Sequence, residues 1–201
     1  MNYAVAHPSA GRRAVLTDAI PGAKARDAAL VLAGAALTAL LAQVAVHVPG
    51  SPVPVTGQTL AVGLVGATLG ARRGGAALLL YVLAGLALPV YADGASGWST
   101  VWGPTGGYLV GFVIAAWAIG AMAERGGDRK VVTAFAAFTA EQLIVFAFGL
   151  VGLKLATDQD WGWVVHNGFT IFILGGLIKA AVGAAVLPSA WRIVRSVRKD
   201  G

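Results

Sequence analysis

The stretch Pro104-Thr105-Gly106-Gly107-Tyr108-Leu109-Val110-Gly111-Phe112-Val113-Ile114-Ala115-Ala116-Trp117-Ala118-Ile119-Gly120-Ala121-Met122-Ala123 carries no charged side chain and stops at Glu124-Arg125. A helix needs about 20 apolar residues to cross the hydrocarbon layer of a bilayer, and this run has that length. Comparable runs occupy about 27–48, 57–71, 74–91, 130–156 and a last one within 164–191. The 57–71 run, stopped by Arg72 and Arg73, is short for a span. The chain therefore reads as an all-α integral membrane protein of six helices. A tail over 1–26 precedes one membrane domain over 27–191, and a basic tail covers 192–201.

Composition agrees. Of 201 residues, 57% are hydrophobic and 12% charged, about half the charge that a soluble domain carries. Disorder, a coiled coil and an ordinary soluble enzyme are excluded. The net charge of +6 comes from basic residues at the ends of apolar runs, with few aromatic neighbours, so it reads as topogenic charge and not as a nucleic-acid surface. Without cysteine there is no disulfide, thiolate metal site, thiol nucleophile or lipoprotein anchor. The first 26 residues show no short apolar core leading to a cleavage site, and a retained tail is expected.

Basic residues set the orientation. Four lie in the tail (Arg12, Arg13, Lys24, Arg26), two in the 71–74 turn, three in 124–130 (Arg125, Arg129, Lys130) and four at the C-terminus (Arg192, Arg195, Arg198, Lys199), thirteen of the fifteen on one side. The alternate loops, 49–56, 92–103 and 157–165, hold none. Both termini are thus expected in the cytoplasm, the chain being multi-pass in the cell membrane.

Two of the outer loops carry chemistry. Pro49-Gly50-Ser51-Pro52-Val53-Pro54-Val55-Thr56-Gly57-Gln58-Thr59 has three prolines that bar helix. It is either a stiff turn or a lid over the outer mouth, with Thr56 and Gln58 as hydrogen-bonding groups. Tyr91-Ala92-Asp93-Gly94-Ala95-Ser96-Gly97-Trp98-Ser99-Thr100-Val101-Trp102 is rich in glycine and aromatics. Its tryptophans are either interfacial anchors or ligand surfaces. Gly106-Gly107, just after Thr105, opens a helix whose free N–H groups suit polar or anionic atoms.

Four ordered pieces carry a resemblance: Pro52-Val53-Pro54-Val55-Thr56-Gly57-Gln58-Thr59-Leu60-Ala61-Val62, Leu69-Gly70-Ala71-Arg72-Arg73-Gly74, Leu88-Pro89-Val90-Tyr91-Ala92 and Gly103-Pro104-Thr105-Gly106-Gly107-Tyr108-Leu109. Their order and spacing resemble the BioY family of biotin transporters, closely over about 49–125. The resemblance implies the substrate-binding S component of an energy-coupling factor transporter, with biotin as ligand and a transmembrane T subunit and two ATPase subunits as partners. It implies no enzyme activity and no cofactor. Family members tend to read Pro-Gly-Asp-x-x-Lys at the start of the last helix, where aspartate and lysine contact biotin. Here the stretch is Leu174-Gly175-Gly176-Leu177-Ile178-Lys179, so the lysine is kept and Gly176 stands for the aspartate. Asp93 is a candidate compensating acceptor. The expected ligand contacts are Thr56, Gln58, Tyr91 and Asp93, then Trp102, Thr105 and Tyr108, and finally Asn167 and Lys179. In such subunits an alanine-spaced face of the first helix meets the T subunit, which points to Ala29, Ala33, Ala35 and Ala39.

Inside the apolar runs, a lysine is costly by ~2.5–3.5 kcal/mol and marks a site or a pair. Lys179 is read as the partner of a ligand carboxylate, and Lys154 as snorkelling outward near Asp158. Glu141 pairs, is protonated or lines the cavity, and its role stays open. His47 and His166 lack the partners of a metal site, and no Walker motif is present. An S component for another vitamin-like carboxylate is the alternative within transport; an intramembrane enzyme or a purely structural subunit fits less well.

Overall fold

The computed structural model describes residues 14–19 and 24–197. Arg12, Arg13, Arg198 and Lys199, four of the basic residues used for orientation, lie outside them. Helix α1 spans Lys24–Ala42, followed by two short strands, β1 (Ala45–Val46) and β2 (Val55–Thr56), then α2 (Gln58–Leu69) and α3 (Ala71–Ala84). A short helix α4 (Trp98–Val101) precedes α5 (Gly106–Ala123), α6 (Val131–Thr157), α7 (Trp161–Gly168) and α8 (Ile173–Val197). Among the described residues, four helical stretches are long and apolar enough to cross a membrane: Lys24–Ala42, Gly106–Ala123, Val131–Thr157 and Trp161–Ser196. The chain is a mostly helical membrane protein. The short run expected at 57–71 is the 12-residue α2, and that expected at 74–91 is a 14-residue helix followed by turns.

Close backbone approach holds the bundle together. α2 and α3 meet at a single residue, Gly70, whose φ of 83° is closed to most side chains. Four residues to either side, Gly66 and Gly74 face each other, and a Cβ on Gly74 would come within 2.8 Å of Gly66 Cα. α5 packs on α6 through Gly107 and Gly152, where a Cβ on Gly152 would lie 2.6 Å from Gly107 Cα. Small residues allow such contact between helices, where lipid supplies no hydrophobic force between them. Where the glycines leave room, a large ring fills it: Phe138 of α6 is wholly buried between Gly63 of α2 and Gly183 of α8.

Several boundaries differ from the expected ones. α1 begins at Lys24 and α8 runs to Val197, so both expected tails contribute helix. The segment 14–19 is no free tail: Val15 is buried, and Thr17 Oγ1 donates to the Thr68 carbonyl at 2.9 Å. Arg73, expected as a stop charge, joins this segment to α1 through Asp18 and Asp27. In the 124–130 loop, the buried Asp128 accepts the indole N–H of Trp191, and Arg129 lies 4.4 Å from that ring centre. Burial pushes the Asp128 carboxyl above its usual range. The expected loop 157–165 contains the start of α7, capped by Asp160, which accepts from Trp163 N at 3.0 Å.

Candidate functional site

A cavity of about 260 Å³ lies under the 47–56 segment, between α2, α5, α6, α8 and the 91–105 loop. The segment over it is a hairpin, with Ala45 paired to Thr56 and Val46 to Val55 in antiparallel register. The prolines keep its tip out of helix, Val53 is buried, and Ser51 Oγ donates to the Asn167 carbonyl at 2.9 Å. The hairpin is therefore fixed at its base by backbone pairing and at its tip by α7.

At the polar end, Lys179 sits in the second turn of α8. Its Nζ donates to the Thr56 carbonyl and to Thr59 Oγ1, both at 2.7 Å. An ammonium has three N–H groups, and the third makes no hydrogen bond to a described residue, while the side chain lines the cavity. Gln58 is buried; its Oε1 accepts from Thr56 Oγ1 at 2.7 Å, and its Nε2 donates to Tyr81 OH at 2.7 Å. Tyr81 in turn reaches the Val90 carbonyl at 3.2 Å. The 47–56 segment, α2, α3 and the stretch that follows α3 thus share one hydrogen-bond chain. Leu109, Phe112, Phe146 and Phe172 give the cavity apolar lining.

Of the expected contacts, Thr56, Gln58, Tyr91, Asp93, Thr105, Tyr108 and Lys179 line this cavity together. The tyrosines present rings only, because the Tyr91 hydroxyl donates to the Val82 carbonyl and that of Tyr108 to the Gly168 carbonyl. Asp93 stands at the mouth, with Oδ2 2.9 Å from His47 Nε2, not beside Lys179. Trp102 is 77% exposed and outside the lining, as expected of an interfacial anchor. Asn167 is also outside: its Nδ2 donates to the Trp163 carbonyl, and its backbone holds the hairpin.

The glycine pair has a packing reason instead of a binding one. Gly106 N already donates to the Gly103 carbonyl, and a Cβ there would lie 1.7 Å from the Val101 carbonyl oxygen. The four alanines of α1 do not form one face. Ala29 and Ala33 are exposed, Ala35 is buried in the bundle and Ala39 lies between. Glu141 is fully buried, with neither carboxyl oxygen hydrogen-bonded. It lies one residue before Gln142, which the sequence reading passed over although a polar residue mid-way through an apolar run was its signal. Thr59, three residues after Thr56, was missed too.

The BioY family model matches residues 13–196. The chain belongs to the BioY family. A BioY relative, "Biotin transporter BioY2" of Lactococcus lactis, is 39% identical over 155 residues, covering 75% of this chain and 82% of its own. "Biotin transporter BioY" of Thermotoga maritima is 34% identical over 158 residues, covering 78% and 92%. The BioY fold is shared with the crystal structure of the S-component for biotin from an ECF-type ABC transporter, at 21% identity and a TM-score of 0.75 over 89% of this chain and 93% of that one.

Proposed function

We propose that this BioY protein takes up biotin as the S component of an energy-coupling factor transporter, capturing it at the outer face of the cell membrane. The observation that carries the reading is a cavity beneath the 47–56 hairpin with apolar lining and one N–H of Lys179 that makes no hydrogen bond to a described residue, which suits a small, largely apolar molecule bearing one carboxylate. The protein does no covalent chemistry. A T subunit and two ATPase subunits drive release inward, and Ala29 and Ala33, on the exposed face of α1 with Leu32 and Leu40, offer a docking strip to the T subunit. Purified protein is expected to give a saturable calorimetric signal with biotin at micromolar concentration. A signal from another carboxylate vitamin with none from biotin would favour the alternative ligand.

The charge pattern supports a single membrane unit of six crossings with both ends cytoplasmic, α2 and α3 being the short pair. A C-terminal reporter active only outside the membrane should stay silent, and activity there would overturn the even count.

The hairpin acts as a lid. Gln58→Ala removes the link between Thr56 and Tyr81 and should weaken biotin roughly 2- to 10-fold, the worth of one net hydrogen bond. Protease access to 49–56 should fall when biotin is added to wild-type protein; unchanged access at saturation would leave the segment a static turn.

A further inference from the structure

Gln142 of α6 is buried at the cavity wall, and its Nε2 donates to the Gly176 carbonyl at 3.0 Å. That bond fixes the amide's orientation, since only the NH₂ end can donate to a carbonyl. The other end, Oε1, accepts no hydrogen bond from any described residue, and a Cβ on Gly176 would come within 2.3 Å of it. The bare backbone at 176 is therefore the space that this oxygen occupies.

Its surroundings say where a donor must come from. Gln142, Phe146 and Gly176 also wall a groove of about 100 Å³ between α6 and α8, closed otherwise by Thr139, Leu143, Phe169, Ile173, Leu177 and Ala180. The one hydroxyl there, Thr139, donates to the Phe135 carbonyl, and the groove offers no other donor. Unlike the Glu141 oxygens, this one is not sealed off, so a donor arriving in the cavity can reach it. We propose that Gln142 determines ligand specificity: its Oε1 accepts a hydrogen bond from an N–H of the bound ligand, and Gly176 provides the room. The assignment rests on biotin as ligand, whose ionised carboxylate leaves the two ureido N–H groups as its donors.

The test is calorimetry on the purified full chain with biotin and with biotin methylated on both ureido nitrogens. Methylation should weaken binding to the wild-type protein by roughly tenfold, as for a buried acceptor left without its donor. Gln142→Met, of similar shape but without the acceptor, should weaken biotin by about the same factor and leave the methylated analogue within about twofold. Gly176→Ala, whose methyl displaces the oxygen, should give the same pattern with Gln142 in place, and it serves if Gln142→Met does not fold. Equal losses for both ligands, or no loss for biotin, would overturn the role of Gln142 while biotin capture stands. No saturable biotin signal from the wild-type protein would overturn the capture reading and this assignment with it.

Discussion

Lys179→Ala is expected to weaken biotin by about one to two decades, because a charge-assisted hydrogen bond is worth roughly 1.5–3 kcal/mol at ~1.4 kcal/mol per decade. The carboxylate would be left in a poorly solvated cavity without its cation. The same change removes the bonds to Thr56 and Thr59 that hold the lid against α2 and α8. The two contributions separate with biotin amide, which lacks the ionic contact but still needs the lid. Calorimetric titration of both ligands should show a much smaller loss for the amide. Equal losses would assign Lys179 to the lid alone.

Gly152→Leu is expected to prevent folding of the bundle. Overpacking a core costs about 1–3 kcal/mol when side chains can move aside. Here the atom in the way is the Cα of Gly107, so α5 and α6 must separate along their interface. Folded protein should fail to accumulate, or melt far below wild type in detergent. Gly75→Ala is the matched control, its Cβ meeting Trp117 Cβ at an ordinary 3.6 Å. A Gly152→Leu protein melting with the wild type would refute the close approach of these helices.

The helices were legible because their composition leaves little choice: an uncharged run such as 104–123 has no other stable state in a bilayer. The site was legible where a residue type is anomalous in its surroundings. Lys179 in an apolar run, and three prolines before Thr56, each demand a reason, and Lys179, Pro52, Pro54 and Thr56 line one cavity. Gly106 and Gly107 were misread because a glycine that admits a ligand and one that admits a helix look alike in sequence; only the neighbouring Val101 and Gly152 distinguish them. Trp102 and Asn167 lie in the right loops, but sequence order does not say which way a loop residue points. Gln142 escaped because its significance depends on contact with Gly176, 34 positions away. The same contact alters the meaning of Gly176: an aspartate there would displace the Gln142 amide, so Gly176→Asp changes two groups of the cavity wall at once.

The brevity of the hairpin joined at Gly70 reaches beyond the protein. At 1.5 Å per residue, α2 and α3 rise only about 18 and 21 Å, against a hydrocarbon layer of ~30 Å. α2 is mostly enclosed, but α3 turns Leu79 and Leu83 outward. In the proposed six-crossing arrangement, the acyl chains beside that face would shorten or splay to meet it, at a cost of fractions of a kcal/mol per ångström of mismatch. In that arrangement the leaflets would thin beside α3, and this lopsided elastic strain would give the membrane itself a preferred direction in which to tilt the subunit.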